Sequence, residues 1–153
     1  MNDANPPGWL YWSEELGAQP TAYNFEDDVL EFHEAAGSTV GKTPGFRDVE
    51  LRMNLIREEV EELERACREP AYVRHVVSLW NATDEPDFTD ALKELCDLLY
   101  VTFGTAVAWG VDIAPFFERV HQSNMTKTPF TKREDGKALK GPNYQPPSFD
   151  GLL

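Results

Sequence analysis

The sequence predicts an all-α protein, a four- to five-helix antiparallel bundle with an irregular C-terminal tail. Apolar residues recur at helical spacing between residues 24 and 126, capping residues bracket the segments, and no run has a convincing strand pattern. With 153 residues, of which 41% are hydrophobic and 27% charged, the chain suits one globular domain. We expect residues 1–23 to form an N-terminal extension, residues 24–126 the helical domain, and residues 127–153 a basic, proline-containing tail.

The first two helices are marked by their ends. Asn24 is a suitable cap for a helix that stops at Gly37, because asparagine accepts from free backbone N–H groups and glycine adopts the left-handed conformation. Asp48 is predicted to cap a second helix. We expect that helix to break near Pro70, since proline lacks the backbone N–H. Residues 72–80 would then form a separate short helix.

The last two helices follow the acidic loop NATDEPD. Asp87 or Thr89 is predicted to open a long helix that ends at Gly110, and Asp112 to cap a final helix reaching about Met125. The long helix is apolar on nearly every side over most of its length, which predicts a buried central position.

Composition excludes several function classes. A formal net charge of -13 argues against nucleic acid and anionic membranes as partners. No apolar run approaches the roughly 18 residues of a membrane span, and the N-terminus does not resemble a secretory signal. Cys67 and Cys96 stand alone, which argues against a disulfide framework or a cysteine zinc site and favours the reducing cytoplasm.

Carboxylates interrupt an apolar stripe on the second helix. At 100° per residue, Leu51 and Leu55 begin a stripe whose continuation is Glu58 and Glu62, and Glu59 lies beside it. An acidic run alone is typical of a solvated helix face. Acids that continue an apolar line are harder to explain in that way.

The third helix carries two more acids on a largely apolar surface. Glu94 and Asp97 share one of its faces at a spacing of three residues. An unpaired buried carboxylate costs several kcal/mol, and the nearest basic side chains, Lys93 among them, do not obviously neutralise the whole set. A divalent cation would, and oxygen ligands without His or Cys favour Mg²⁺ or Mn²⁺ over zinc.

The two motifs together carry a family resemblance. E-E-x-x-E at residues 58–62 followed by E-x-x-D at residues 94–97 resembles the signature of the all-α nucleoside triphosphate pyrophosphohydrolases. That superfamily includes MazG-like proteins, dimeric dUTPases, dCTP pyrophosphatases and phosphoribosyl-ATP pyrophosphohydrolases. The flanking segments ELRMNLIREEVEEL and ELCDLLYVTFGTAVAWGVD are similar as well, and the resemblance runs from about residue 29 to residue 147.

The resemblance implies an activity and a set of site residues. Glu59, Glu62, Glu94 and Asp97 would hold Mg²⁺, with Mn²⁺ as the alternative metal, and Glu58 would position or deprotonate the attacking water. The reaction would split a nucleoside triphosphate between its α- and β-phosphates, giving a monophosphate and pyrophosphate, with dUTP as the first expected substrate. Because family members associate as dimers or larger assemblies, the resemblance also implies at least a homodimer.

A short basic segment contrasts with the acidic body. From Lys127 to Lys140 there are five basic and two acidic residues, so this segment carries +3 and the rest of the chain -16. The resemblance assigns Asn124 and Lys127 to the substrate phosphates, and Lys137, Lys140 and Tyr144 to a tail that closes over them. The alternatives are an ordinary helix-end cation at Lys127 and a solvated basic tail beyond it.

Two other classes remain open from the sequence. A ferritin-like di-iron protein needs two Glu-x-x-His motifs, and the chain offers only Glu118-x-x-His121. A non-enzymatic, acidic helical interaction module would explain the charge. It would not explain carboxylates on an apolar helix.

Overall fold

The structure is a computed structural model that describes residues 24–80 and 87–152, without the side chains of residues 76–80. The predicted extension, residues 1–23, lies outside the described residues. The described chain has no strand beyond an isolated bridge between Lys132 and Ala138. The prediction of an all-α helical bundle is confirmed. The helices are α1 (Phe25–Ala36), α2 (Phe46–Trp80), α3 (Thr89–Trp109) and α4 (Ala114–Met125).

The predicted caps stand at the ends of α1 and α3. The Asn24 side chain accepts a hydrogen bond of 3.2 Å from the first turn of α1. At the start of α3, Asp87 accepts one of 2.8 Å from the backbone of Thr89. Gly37 and Gly110 end these helices at φ values of 65° and 69°, where a side chain would be strained.

The second helix differs from the prediction in both its start and its length. It begins two residues before Asp48, whose carboxylate reaches back to accept from the backbone N–H of Gly45 at 3.2 Å. It then continues through Pro70 to residue 80, so the expected break and the separate helix over 72–80 are wrong. Proline removes one backbone hydrogen bond, and here Pro70 is buried next to the start of α3, where packing holds the helix together.

The third helix organises the fold, because α1 and α2 both pack against it. Arg52 lies beside Gly104 and Glu62 approaches Glu94, so α2 and α3 run antiparallel. In contrast, the backbone of α4 does not come close to any of the other three helices in the described part of the chain, and its side chains only border a cleft shared with Phe25 of α1 and Phe103 of α3. None of the described helices is long and apolar enough to cross a membrane.

The central position predicted for α3 holds for only half of its length. Residues 104–108 are buried, whereas the first half leaves a line of apolar side chains exposed. The reason is that, among the described residues, α2 covers one side only and α4 adds no cover. These side chains recur at helical spacing and form what we call the α3 stripe: Leu92, Leu95, Cys96, Leu99 and Tyr100.

Two glycines allow the close packing at the other end of α3. A Cβ atom on Gly104 would lie 3.0 Å from Nε2 of His33, which is buried and donates from Nδ1 to the carbonyl of Thr39 at 2.9 Å. A Cβ atom on Gly110 would lie 2.8 Å from the Cα of Gly41. A larger residue at position 104 would displace the buried His33 of α1, and one at position 110 would push the loop between α1 and α2 away from α3.

Candidate active site

Two antiparallel helices bring three predicted acids together. Glu59 and Glu62 lie one turn apart on α2, and Glu94 faces them from α3. Each offers a carboxylate oxygen, and these oxygens all lie within 4.8 Å of one another. We call Glu59, Glu62 and Glu94 the acidic cluster.

Glu94 is the most enclosed member of the cluster. Its side chain is 15% exposed, and its Oε1 accepts from Nζ of Lys93 at 3.0 Å. Its Oε2 is buried and has no hydrogen-bond partner among the described residues. Since an unsatisfied buried oxygen is costly, this atom indicates a position built for a ligand. The fourth predicted acid, Asp97, accepts from the same Lys93 at 2.8 Å and is 44% exposed.

Mutual repulsion shows in the pKa of Glu59. Burial is the main cause that raises it, followed by the negative charges of Glu62, Asp97 and Glu94, while Lys93 opposes them. When folding raises the pKa of a carboxyl group, that group stabilises the folded state at pH values below its ordinary pKa. That contribution is lost as the pH rises through the raised value. The ionised Glu59 carboxylate therefore makes the metal-free fold less stable at neutral pH than its protonated form would.

The donor set fits a hard divalent cation. All of the oxygens come from carboxylates, which suits Mg²⁺ or Mn²⁺, and the unpartnered Oε2 of Glu94 belongs to that set. Among the described residues, Lys93 is the only cation that contacts the acids of the site. Its hydrogen bonds, first to Asp97 and then to Glu94, hold its pKa well above the usual range.

Glu58, the residue predicted to act on water, is exposed on α2. It lies next to Glu59 in sequence and one turn before Glu62, so it borders the acidic cluster without belonging to it. Its role stays a prediction.

Three residues predicted to bind substrate converge at the end of α4. Nζ of Lys140 lies 4.5 Å from the ring centre of Tyr144, a cation–π contact. The pKa of Tyr144 is lowered by its hydrogen bond with Ser123 and by the charges of Lys140 and Lys127. We call Lys127, Lys140 and Tyr144 the basic cluster.

The other two predicted substrate ligands are placed differently. Asn124 is exposed in the last turn of α4, and its carbonyl accepts from the backbone of Lys127 at 3.2 Å. Lys137 is exposed in a turn, where its backbone N–H donates to Asp135 at 3.1 Å. The phosphate-binding roles of both residues stay predictions.

Sequence reasoning missed the residues that fix the tail to α4. Ser123 is buried and donates to the carbonyl of Gln145 at 2.7 Å, and the backbone of Gln145 donates to Oγ1 of Thr126 at 2.8 Å. These bonds hold the adjacent Tyr144 over the end of α4. The sequence signal was only that two hydroxyl residues stand near the polar end of a helix, which is common and not specific.

Within one chain, the acidic and basic clusters lie on elements that do not pack together. The acidic cluster is built on α2 and α3, and the basic cluster on the end of α4 and the tail. In the described residues α4 packs against neither α2 nor α3.

The di-iron alternative lacks its second set of ligands. In residues 24–80 and 87–152, a single group of His, Cys, Asp or Glu side chains meets the distance requirement for a metal, and it is the acidic cluster. Glu118 and His121 instead line a mostly apolar cleft with Phe25 and Phe117.

An all-α fold in which two antiparallel helices set glutamates around one point defines the class of all-α nucleotide pyrophosphohydrolases. The sequence profile of the phosphoribosyl-ATP pyrophosphohydrolase family (PRA-PH) matches residues 11–124, most of the chain. The protein belongs to this family, which is part of the MazG-like all-α superfamily. The comparison with curated proteins finds no match. Membership supports nucleotide pyrophosphohydrolase activity, a hydrolase reaction on acid anhydrides, and the family is typically metal-dependent.

Proposed function

We propose that the protein is a Mg²⁺-dependent pyrophosphohydrolase that cleaves a nucleoside triphosphate between its α- and β-phosphates. The observation that carries this proposal is the buried, unpartnered Oε2 of Glu94 beside the carboxylates of Glu59 and Glu62. A deoxynucleotide is the expected substrate class, with dUTP first, then dCTP or a modified deoxynucleotide. Mn²⁺ is the expected substitute metal.

We assign two roles to the acids, binding of the metal and activation of the attacking water. Glu59, Glu62, Glu94 and Asp97 would hold the cation, which supplies charge neutralisation on the phosphates and lowers the pKa of a water molecule. Glu58, exposed at the border of the cluster, is accessible to orient that water and to accept its proton.

The basic cluster would bind the phosphates. Lys127 and Lys140 supply two positive charges close to the hydroxyl of Tyr144, and charge-assisted hydrogen bonds to phosphate are among the stronger polar contacts. Asn124 and Lys137, one on the last turn of α4 and one in the tail, are proposed as further ligands.

A product assay across nucleotides tests the proposal. We expect the pure protein with Mg²⁺ to release pyrophosphate and a monophosphate from at least one deoxynucleoside triphosphate, and to lose activity in EDTA. The panel should include the canonical and the damaged nucleotides, each with Mg²⁺ and with Mn²⁺. Orthophosphate as the first product would place cleavage at another bond and contradict the proposal.

We also propose a homodimer that covers the α3 stripe. Leu92, Leu95, Leu99 and Tyr100 are between 38% and 53% exposed, although they lie on one face of the helix that organises the fold. Phe32 of α1 is 53% exposed and packs edge-on against Tyr100, which widens the same surface. A continuous apolar surface of this kind is typical of an interface.

Replacing Leu99 with Arg should convert the dimer to a monomer. A charged side chain at the centre of a buried apolar interface is left unpaired, which is strongly unfavourable. Light scattering coupled to size exclusion measures the mass directly. The matched control is Leu139→Arg, because Leu139 is 42% exposed against 43% for Leu99 but lies in the tail. If both variants remain dimeric, the interface lies elsewhere.

A further inference from the structure

Lys93 occupies an unusual position among the charged residues of the site. Its Nζ lies 3.0 Å from Oε1 of Glu94 and 2.8 Å from Oδ2 of Asp97, so one ammonium group bridges two acids that we assign to the metal. No other cation contacts these carboxylates in the part of the chain that the structure describes. Lys93 therefore supplies the compensating charge of the cluster.

The two ion pairs of Lys93 can break with only a small loss of free energy. The side chain of Lys93 is 64% exposed, whereas that of Glu94 is 15% exposed. Ion pairs of an exposed lysine are weak, because water competes for both partners. An ammonium group can thus leave for solvent while the glutamate stays enclosed.

We infer that Lys93 is an internal counter-ion, which holds Glu94 and Asp97 in the metal-free protein and which a divalent cation must displace in order to bind. This inference rests on the metal site of the proposed function. It makes Lys93 a positioning residue that weakens metal affinity, since part of the binding free energy goes into breaking its two contacts. In return, it limits the repulsion among the acids when no metal is bound.

The neighbouring basic residue on α2 does not share this position. Nη1 of Arg57 donates to Oδ1 of Asn54 at 2.5 Å, and Arg57 is exposed. It lies two residues before Glu59, so it contributes to the same electrostatic field without contacting the acids. Arg57→Gln is therefore a matched control, which removes one positive charge near the cluster and breaks no contact with it.

Mn²⁺ binding to the full-length protein tests the inference without relying on activity. The electron paramagnetic resonance signal of free Mn²⁺ gives the Kd. We expect Lys93→Gln to bind Mn²⁺ about fivefold more tightly than the wild type, as two weak pairs no longer compete. Lys93→Arg, which keeps the charge and the contacts, should stay close to the wild type. Arg57→Gln should change the Kd by less than about twofold.

The possible outcomes separate the two proposals. If wild type and Lys93→Gln bind Mn²⁺ equally, or the variant binds more weakly, Lys93 is not a competitor, while the metal site stands. An equal gain in Lys93→Gln and Arg57→Gln would show a general field effect and overturn the specific role of Lys93. A wild-type protein that binds no Mn²⁺ overturns the inference and the proposed metal centre together.

Discussion

Glu94→Gln should lower the activity by orders of magnitude and leave the metal-free protein at least as stable as the wild type. Glu94 places an enclosed oxygen, without a hydrogen-bond partner among the described residues, in the acidic cluster, so the change removes a proposed metal ligand. The same change removes one of the charges that raise the pKa of Glu59. Less repulsion around Glu59 favours the folded state.

The response to Mg²⁺ separates these two effects. Metal that binds only the folded wild type stabilises it by about 2.7 kcal/mol at a hundred times its Kd, and the variant far less. Glu61→Gln is the control, because Glu61 is exposed on another face of α2. Thermal melts of the three proteins with Mg²⁺ and with EDTA are the measurement. If Glu94→Gln gains as much from Mg²⁺ as the wild type and Glu61→Gln do, the cluster does not bind the metal.

Much of the fold could be predicted from local signals. Asn24, Gly37 and Gly110 act through their own backbone geometry, so the bounds of α1 and the end of α3 follow from the sequence. Pro70 was misleading, because the break it favours locally is outweighed by packing against α3. That packing involves a helix that begins 19 residues later, at Thr89, and a local pattern does not contain it.

In the candidate site, too, some features follow from the local sequence and others depend on tertiary contacts. Helical periodicity put Glu58 and Glu62 on one line with Glu59 beside it, and Glu94 on another helix. The antiparallel pairing of α2 and α3 then brings Glu59, Glu62 and Glu94 together. The contacts of Lys93 and Ser123 depend on side-chain conformations that many exposed lysines and serines do not share. Periodicity does not specify such contacts.

The sequence also did not predict that the first half of α3 is exposed, and the reason is different. An apolar helix signals that its surface is covered, but not by which chain. Within the described residues of a single chain, the α3 stripe is open, and α4, with the basic cluster, does not come close to the helices that carry the acids. A second copy that covers the stripe would account for both features, if it also brings the basic cluster of one chain to the acidic cluster of the other.

Lys127→Ala should raise KM about tenfold or more and lower kcat less. A phosphate contact that is already present in the bound ground state contributes to binding, and loss of a charge-assisted hydrogen bond costs roughly 1.5–3 kcal/mol. Steady-state kinetics with the best nucleotide of the panel measures both constants. An unchanged KM would mean that Lys127 is an ordinary cation at the end of α4.

Mixing this variant with Glu94→Gln tests whether the site is shared. Suppose that each site combines Lys127 of one copy with Glu94 of the other. When equal amounts of the two variants are unfolded together and allowed to reassociate, half of the dimers contain one copy of each variant, and each of these carries one intact site. The mixture should then recover roughly a quarter of the wild-type activity at a substrate concentration below KM. If each site lies within one chain, no intact site forms, and the mixture gives only the average of its two parents. Recovery would therefore show that the second copy completes the active site, and its absence would assign both clusters to a single chain.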